Sequence, residues 1–196
     1  MDPVPAPIRA VMAALEARDA ADRIDGTPQA RRLRAIAREV GPFLLTLAVA
    51  NRSRTIVEVG TSAGYSTLWL GVAARQTGGR VITFEVDPAK VALATATFAE
   101  AGVEDCVELR AGDGLTGLAS LAASADLVFL DAEKADYVRF LEPAIEALRP
   151  GGLLIADNLL SHPAELAEFR ASALADSRLT GLVVPIGRGE LVAVRL

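Results

Sequence analysis

From Thr55 onward the chain alternates short apolar runs with amphipathic stretches. The runs Thr55–Val59, Arg80–Glu85, Cys106–Arg110, Leu127–Asp131 and Gly152–Asp157 are almost wholly apolar, without the apolar–polar alternation of a half-exposed strand. That is the signature of parallel strands covered on both faces. Between them, Tyr65, Leu68, Trp69, Val72 and Ala73 recur at helical spacing and make one stripe. Pro88 sits where a first helical turn accepts it, Ala89–Ala101 follows as a helix former, and Gly102 stops it. Tyr137, Phe140, Leu141, Ile145 and Leu148 form another stripe, ended by Arg149-Pro150-Gly151-Gly152. Such repetition predicts right-handed crossovers and an α/β fold with a doubly wound, mostly parallel sheet.

The two ends of the chain differ from its middle. Residues 1–50 hold no strand pattern; Val11–Ala20 and Ala30–Ala50 read as helices separated by Gly26-Thr27-Pro28, an N-terminal helical cap. After Asp157 a helix is expected over Pro163–Ala175, then strands Leu179–Pro185 and Glu190–Arg195 around Gly187-Arg188-Gly189. That pair reads as an antiparallel C-terminal hairpin and brings the sheet to seven strands. No repeat or linker divides residues 1–196, so a single domain is expected.

Composition narrows the class of protein. The chain of 196 residues is long enough to bury a full core, and its hydrophobic content of 52% fits a compact α/β protein. A formal charge of −5 disfavours non-specific binding to nucleic acid. No apolar run approaches the ~20 residues needed to span a bilayer. Met1-Asp2-Pro3-Val4-Pro5 lacks the basic-then-apolar pattern of a secretory signal. One cysteine, Cys106, cannot form an internal disulfide and reads as a buried strand residue in a reducing compartment. A cytoplasmic location without membrane contact is the expectation.

The candidate chemistry lies at the strand ends. Glu58, Glu85, Asp131 and Asp157 stand at or near the ends of four runs, and Asp113 follows a fifth in Gly112-Asp113-Gly114. In an open parallel sheet those ends form the ligand crevice, so acids scattered in sequence converge in space. Singly, each is explained by capping of the next helix. Together they would repel one another without a cation, an amine or hydroxyls among them. The turn Gly60-Thr61-Ser62-Ala63-Gly64 permits close backbone approach and leads into a helix start. Glu58 beside it would repel a phosphate and suits a ligand carrying an amino group. Glu85, twenty-five residues after Gly60, can accept both hydroxyls of a ribose. An NAD enzyme shares that feature, but the turn is not G-x-G-x-x-G and Glu58 opposes a pyrophosphate.

Asp131, Asp157 and Asn158 offer hard oxygen ligands suited to Mg²⁺ or a similar divalent ion, whereas zinc finds neither cysteine nor histidine among them. Lys134 follows Asp131 by three residues; beside a cation and acids its pKa would fall and it could accept a proton. Its bland alternative is a solvated lysine at a helix start. His162, the single histidine, reads as structural or as a residue of the pocket mouth.

Four blocks carry a resemblance: Ile56–Leu68, Phe84-Glu85-Val86-Asp87, Leu127–Lys134 and Leu148–Asn158. Through them, from about residue 40 to the C-terminus, the chain resembles the cation-dependent class I O-methyltransferases, the group containing catechol and caffeoyl-CoA O-methyltransferases and many bacterial relatives. The resemblance implies a Rossmann-like methyltransferase fold and S-adenosylmethionine (SAM) as methyl donor. It implies that Glu58, Gly60, Thr61 and Ser66 hold the methionine part of SAM. Glu85 and Val86 would then meet the ribose, Gly112 and Asp113 the adenine, and Asp131 both cofactor and metal. Asp131, Asp157 and Asn158 would bind the divalent cation, with Lys134 as the catalytic lysine. The implied acceptor is a small aromatic molecule with vicinal hydroxyls, and the implied assembly a homodimer.

Two features depart from the family. Glu133 stands where Asp is usual, with little consequence expected. The N-terminal region carries Arg9, Arg18, Arg23, Arg31, Arg32, Arg34 and Arg38, which read either as a solvated helix face or as recognition of an anionic acceptor. Those arginines also keep alive a rival reading, a methyltransferase for a hydroxylated tRNA base, which the acidic composition opposes. A non-catalytic binding protein on the same fold is the alternative of another class, and it gives no reason for Asp131, Lys134, Asp157 and Asn158 to be present together.

Overall fold

A computed structural model describes residues 3–196, and at its centre lies one seven-stranded sheet in the order β3-β2-β1-β4-β5-β7-β6. The strands are β1 (Thr55–Val59), β2 (Arg80–Glu85), β3 (Val107–Ala111), β4 (Ala125–Leu130), β5 (Leu148–Ala156), β6 (Leu179–Val184) and β7 (Glu190–Arg195). Strands β1 to β5 pair in parallel, while β7 runs antiparallel to both β5 and β6. The doubly wound sheet with a terminal hairpin is therefore as the pattern of apolar runs predicts.

Alternate residues of each strand feed two apolar layers, which is why the strands carry hydrophobic residues on both faces. Ile56, Val81, Leu127, Phe129 and Ile155 pack beneath α1 (Ala6–Asp22), α2 (Val40–Ala50), α3 (Tyr65–Thr77) and α4 (Pro88–Ala101). Val57, Ile82, Phe84, Val128 and Leu154 face α5 (Gly114–Ala119), α6 (Tyr137–Ala147) and α7 (Ala167–Ala175). Strand order reverses between β1 and β4, and the crevice outside the carboxyl ends of these two strands is where such sheets bind ligands. Among the described residues no helix is long and apolar enough to cross a membrane.

The N-terminal region departs from its expected shape. A single helix over Ala30–Ala50 is not formed: a short 3₁₀ turn at Gln29–Arg31 leads into non-helical chain before α2 starts at Val40. The backbone of this segment finds partners elsewhere. The Leu33 amide donates to the Asp22 carboxylate and the Ala35 amide to Asp19, while the Ser62 hydroxyl donates to the Leu33 carbonyl. Side-chain acceptors thereby replace helix bonds, and Arg34 adopts a left-handed φ of 54°. Smaller differences occur elsewhere. Helix α1 begins at Ala6 because Pro5 and Pro7 suit a helix start. Helix α7 begins at Ala167, after a looser stretch from Pro163. Strand β5 takes in Pro150-Gly151-Gly152 through an irregular register against β4 between Ala125 and Leu127.

Candidate active site

The carboxyl edge of the sheet opens into a cavity of about 880 Å³. One half lies over β1, β2 and β3, with Gly60, Ser62, Glu85, Val86, Gly112 and Asp113 in its wall; the other lies over β4 and β5, with Asp131, Lys134, Asn158 and His162. Residues distributed over a hundred positions of sequence thus share one space.

Gly60 makes the exit from β1 possible. Its φ is 103°, and a Cβ there would stand 2.2 Å from the Asp131 carbonyl oxygen, so β1 and β4 can leave the sheet side by side only if this residue has no side chain. Gly64, with φ 89°, precedes the first turn of α3 and lies against the Phe98 ring.

Beneath this turn Glu58 is wholly buried, and its carboxylate faces three hydroxyls rather than the cavity. Ser66 donates to one oxygen at 2.5 Å, Thr83 to the other at 2.6 Å, and Thr67 joins Thr83. Thr61 completes the cluster through its hydroxyl contact with Thr83 at 2.6 Å. Burial pushes the Glu58 carboxyl up to about 7, against the lowering effect of those hydrogen bonds. Glu58 therefore ties β1, β2 and α3 together below the turn. Above the turn, residues Leu33 to Ile36 close down on Gly60–Ser66 and leave about 10 Å³ between them, roughly one water molecule's space.

Glu85 ends β2 with its side chain held by the backbone: Ser62 donates to one oxygen at 2.8 Å, and Val86 and Asp87 each donate to the other at 2.9 Å. The oxygen facing Ser62 keeps a lone pair for a ligand hydroxyl. Val86 is 69% exposed in the cavity wall, an apolar surface without a cover. Asp113 caps α5, accepting from the Leu115 amide at 3.0 Å, so capping accounts for its bonds while it also lines the cavity.

On the other side Asp131 accepts from the Lys134 ammonium at 3.2 Å and from the Asn158 amide at 3.1 Å. The ammonium also donates to the Ala132 carbonyl at 2.9 Å and lies 5.1 Å from the centre of the Tyr137 ring. Lys134 is thereby fixed at the cavity wall rather than free in solvent. Asp157 sits behind Asn158, wholly buried, and one of its oxygens accepts from the Asn158 amide nitrogen. Asn158 holds a left-handed φ of 77° where the chain leaves β5, with its own side chain in the cavity wall and that of Asp157 beneath it.

One residue of this region escapes sequence reasoning. Glu190, the first residue of β7, is wholly buried against Asp157, and as two bare carboxylates neither would have a donor for the other. Burial, the Asp157 charge and a hydrogen bond to Asp157 push its carboxyl far above the usual range, while burial and Asp131 push Asp157 up to about 6 against the lowering effect of the hydrogen bond from Glu190. The available signal was an acid heading the apolar run Leu191–Val194. Asp131 and Asp157 still repel each other across this corner, and a hard cation between them would offset that repulsion. The donor set of Asp131, Asp157 and Asn158 fits such an ion, although among the described residues no three His, Cys, Asp or Glu side chains converge as a ready cluster.

The arginines of the N-terminal region are largely paired. Arg23 binds Asp19, Arg38 binds Glu16, Arg32 donates to the Thr27 carbonyl, and Arg34 binds Glu133 across the cavity mouth. Glu133, which stands where the family has Asp, thus pairs with the segment that roofs the site.

The chain matches the sequence model of the O-methyltransferase family over residues 27–195. A catechol O-methyltransferase of Mycobacterium tuberculosis is 39% identical over 162 residues, spanning 81% of this chain and 69% of its own. Among solved structures, an O-methyltransferase from Bacillus cereus in complex with SAH superposes with a TM-score of 0.80 at 25% identity, covering 95% of this chain and 91% of the other. The O-methyltransferase TomG from Streptomyces achromogenes, involved in tomaymycin synthesis and solved in complex with SAM, gives 0.77 at 29% identity, covering 93% and 89%.

Proposed function

The chain belongs to the O-methyltransferase family, and from that premise we propose that it transfers a methyl group from SAM to one of two adjacent hydroxyls of a small aromatic acceptor, with a divalent cation at Asp131, Asp157 and Asn158. The observation that carries this reading is the single cavity shared by Glu85, the Gly60 turn, Asp131, Lys134 and Asn158. A ribose-bearing ligand at Glu85 and an acceptor at Asn158 would meet above Asp131. The neighbours solved with SAH and SAM support the cofactor.

Each side chain then has a task. Glu85 would accept the ribose hydroxyls, with its orientation set by three backbone amides. Glu58 would act one step removed, holding Ser66 and the α3 start in the shape that receives the amino-acid end of the cofactor. When bound, SAM supplies an electrophilic methyl group and the ion lowers the pKa of an acceptor hydroxyl. Lys134, steered by Asp131 and Ala132, would as an ammonium stabilise the oxygen left behind, and would take that hydroxyl's proton only after giving up one of its own. Alignment of the two reactants would supply much of the rate.

The test is transfer of a labelled methyl group from SAM to catechol, with Mg²⁺ and with EDTA, by the wild type and by Asp157→Ala. Methylation that needs Mg²⁺ and collapses in the variant is expected. Equal rates in EDTA would remove the metal from the reading. Methylation of tRNA without any of catechol would replace the acceptor, and binding of NADH in place of SAM in a calorimeter would end the proposal.

A further inference from the structure

At the acceptor end of the cavity, the chain presents one arginine that no other residue claims. Arg188 lies in the turn between β6 and β7, flanked by Gly187 (φ 55°) and Gly189 (φ 91°). Both glycines are in tight contact: a Cβ at Gly187 would lie 2.4 Å from the Val40 side chain, and one at Gly189 2.4 Å from that of Leu160. The turn is closed by the Gly189 amide donating to the Ile186 carbonyl at 2.8 Å. It is also sewn to the segment that follows Asn158. The Leu160 and Ser161 amides donate to the Arg188 carbonyl at 2.9 and 3.1 Å, and the Leu159 amide donates to the Gly189 carbonyl at 2.9 Å. Arg188 therefore projects from a rigid, wedged turn rather than a free loop.

Arg188 is partly buried and lines the cavity. Among the described residues it makes no hydrogen bond or ion pair, whereas Arg23, Arg32 and Arg34 in the same wall all have partners. Glu165 also lines the cavity, but it forms no ion pair with Arg188. A guanidinium offers five donors in a flat fork that matches a carboxylate, and one partly withdrawn from water without an acceptor is poised to take an anion. The sheet order decides which ligand that anion belongs to. Glu85 and Gly112 stand over β2 and β3 at one side of the crevice, whereas the β6–β7 turn adjoins the end of β5 at the other, beyond Asp131. An anion at Arg188 is therefore part of the acceptor.

We propose that Arg188 is a specificity-determining residue that binds the carboxylate of an acidic catechol, an acceptor of the dihydroxybenzoate or dihydroxycinnamate type. The proposal rests on the methyl-transfer reading above and adds the charge of the acceptor to it.

The experiment compares 3,4-dihydroxybenzoate with its uncharged partner 3,4-dihydroxybenzamide, and with catechol, in the wild type, Arg188→Gln and Arg188→Lys. The wild type is expected to favour the acid over the amide in kcat/KM by about tenfold or more, the yield of one charge-assisted pair. Arg188→Gln is expected to erase that ratio through a raised KM for the acid, and Arg188→Lys to restore part of it. Calorimetric binding of the acid to the SAH-bound protein should weaken in Arg188→Gln by a similar factor, which tests the contact without turnover. Because the side chain holds nothing in place, both variants should melt with the wild type. Equal use of acid and amide by the wild type, or a ratio unchanged in Arg188→Gln, overturns the proposal and leaves methyl transfer standing. Failure to methylate all three acceptors overturns both.

Discussion

At the scale of single residues, Glu58 gives a stability signature of definite sign. Its folded carboxyl titrates near 7, above an ordinary value of 4.5. Below the ordinary value both folded and unfolded chains hold the proton and the group is neutral in the balance. As pH rises from there to 7 the unfolded chain releases its proton first, so folding loses stability, up to about 3 kcal/mol at 1.36 kcal/mol per pH unit. Glu58→Gln removes that slope. Urea unfolding should show the variant gaining on the wild type between pH 5 and pH 8, and two parallel profiles would mean that Glu58 does not titrate in this range. Lys134 makes the complementary case in catalysis. Its ammonium is held by Asp131 and Ala132 at the cavity wall and touches no residue of the nucleoside half. Lys134→Ala should therefore lower kcat by about a hundredfold or more while SAM affinity by calorimetry stays within a factor of a few. Equal losses in both would make the lysine a structural post.

At the scale of elements, the segment from Arg32 to Glu39 decides access. It carries Leu33 to Ile36 over the Gly60 turn with about 10 Å³ between them, and Leu33 and Arg34 continue from there into the wall of the large cavity. Arg34 and Glu133 fasten it at the mouth, with side chains 36% and 65% exposed. So exposed a pair contributes little to folding, about 0.2–1 kcal/mol. Its effect belongs in rates: Arg34→Ala should leave the melting temperature nearly unchanged and raise the stopped-flow association rate of SAM several-fold. An unchanged rate would show that the roof opens without releasing this pair. The same segment explains why an alanine-rich stretch misleads a reading by helix propensity. Asp19 and Asp22, on the neighbouring helix, accept the amides of Ala35 and Leu33, and nothing in the local sequence announces that competition.

At the scale of the whole molecule, what was legible follows from what is periodic. The parallel strands are apolar on both faces, so β1 to β5 could be read from composition within a few residues, and with them the crevice that gathers Glu85, Asp131, Lys134 and Asn158. Glu58 was legible as important but not in its task, because only packing shows that three hydroxyls surround it. Arg188 and Glu190 were opaque: the hairpin folds back so that β7 pairs with β5, bringing residues some thirty positions away beside Asp157 and Asn158. That pairing buries the Glu190 carboxyl against Asp157, where it keeps its proton and donates it to the Asp157 carboxylate. Replacing it by an apolar chain of similar length therefore has a clear expected sign. Glu190→Met should destabilise the metal-free protein by about 1–3 kcal/mol in urea unfolding, because it leaves the buried Asp157 carboxylate without its donor. Mg²⁺ should raise the melting temperature of the wild type through the neighbouring Asp157, and Asp157→Asn should abolish that rise. If Glu190→Met unfolds no more easily than the wild type in the absence of metal, the two buried acids do not share a proton, and the pair read at this corner of the site does not exist.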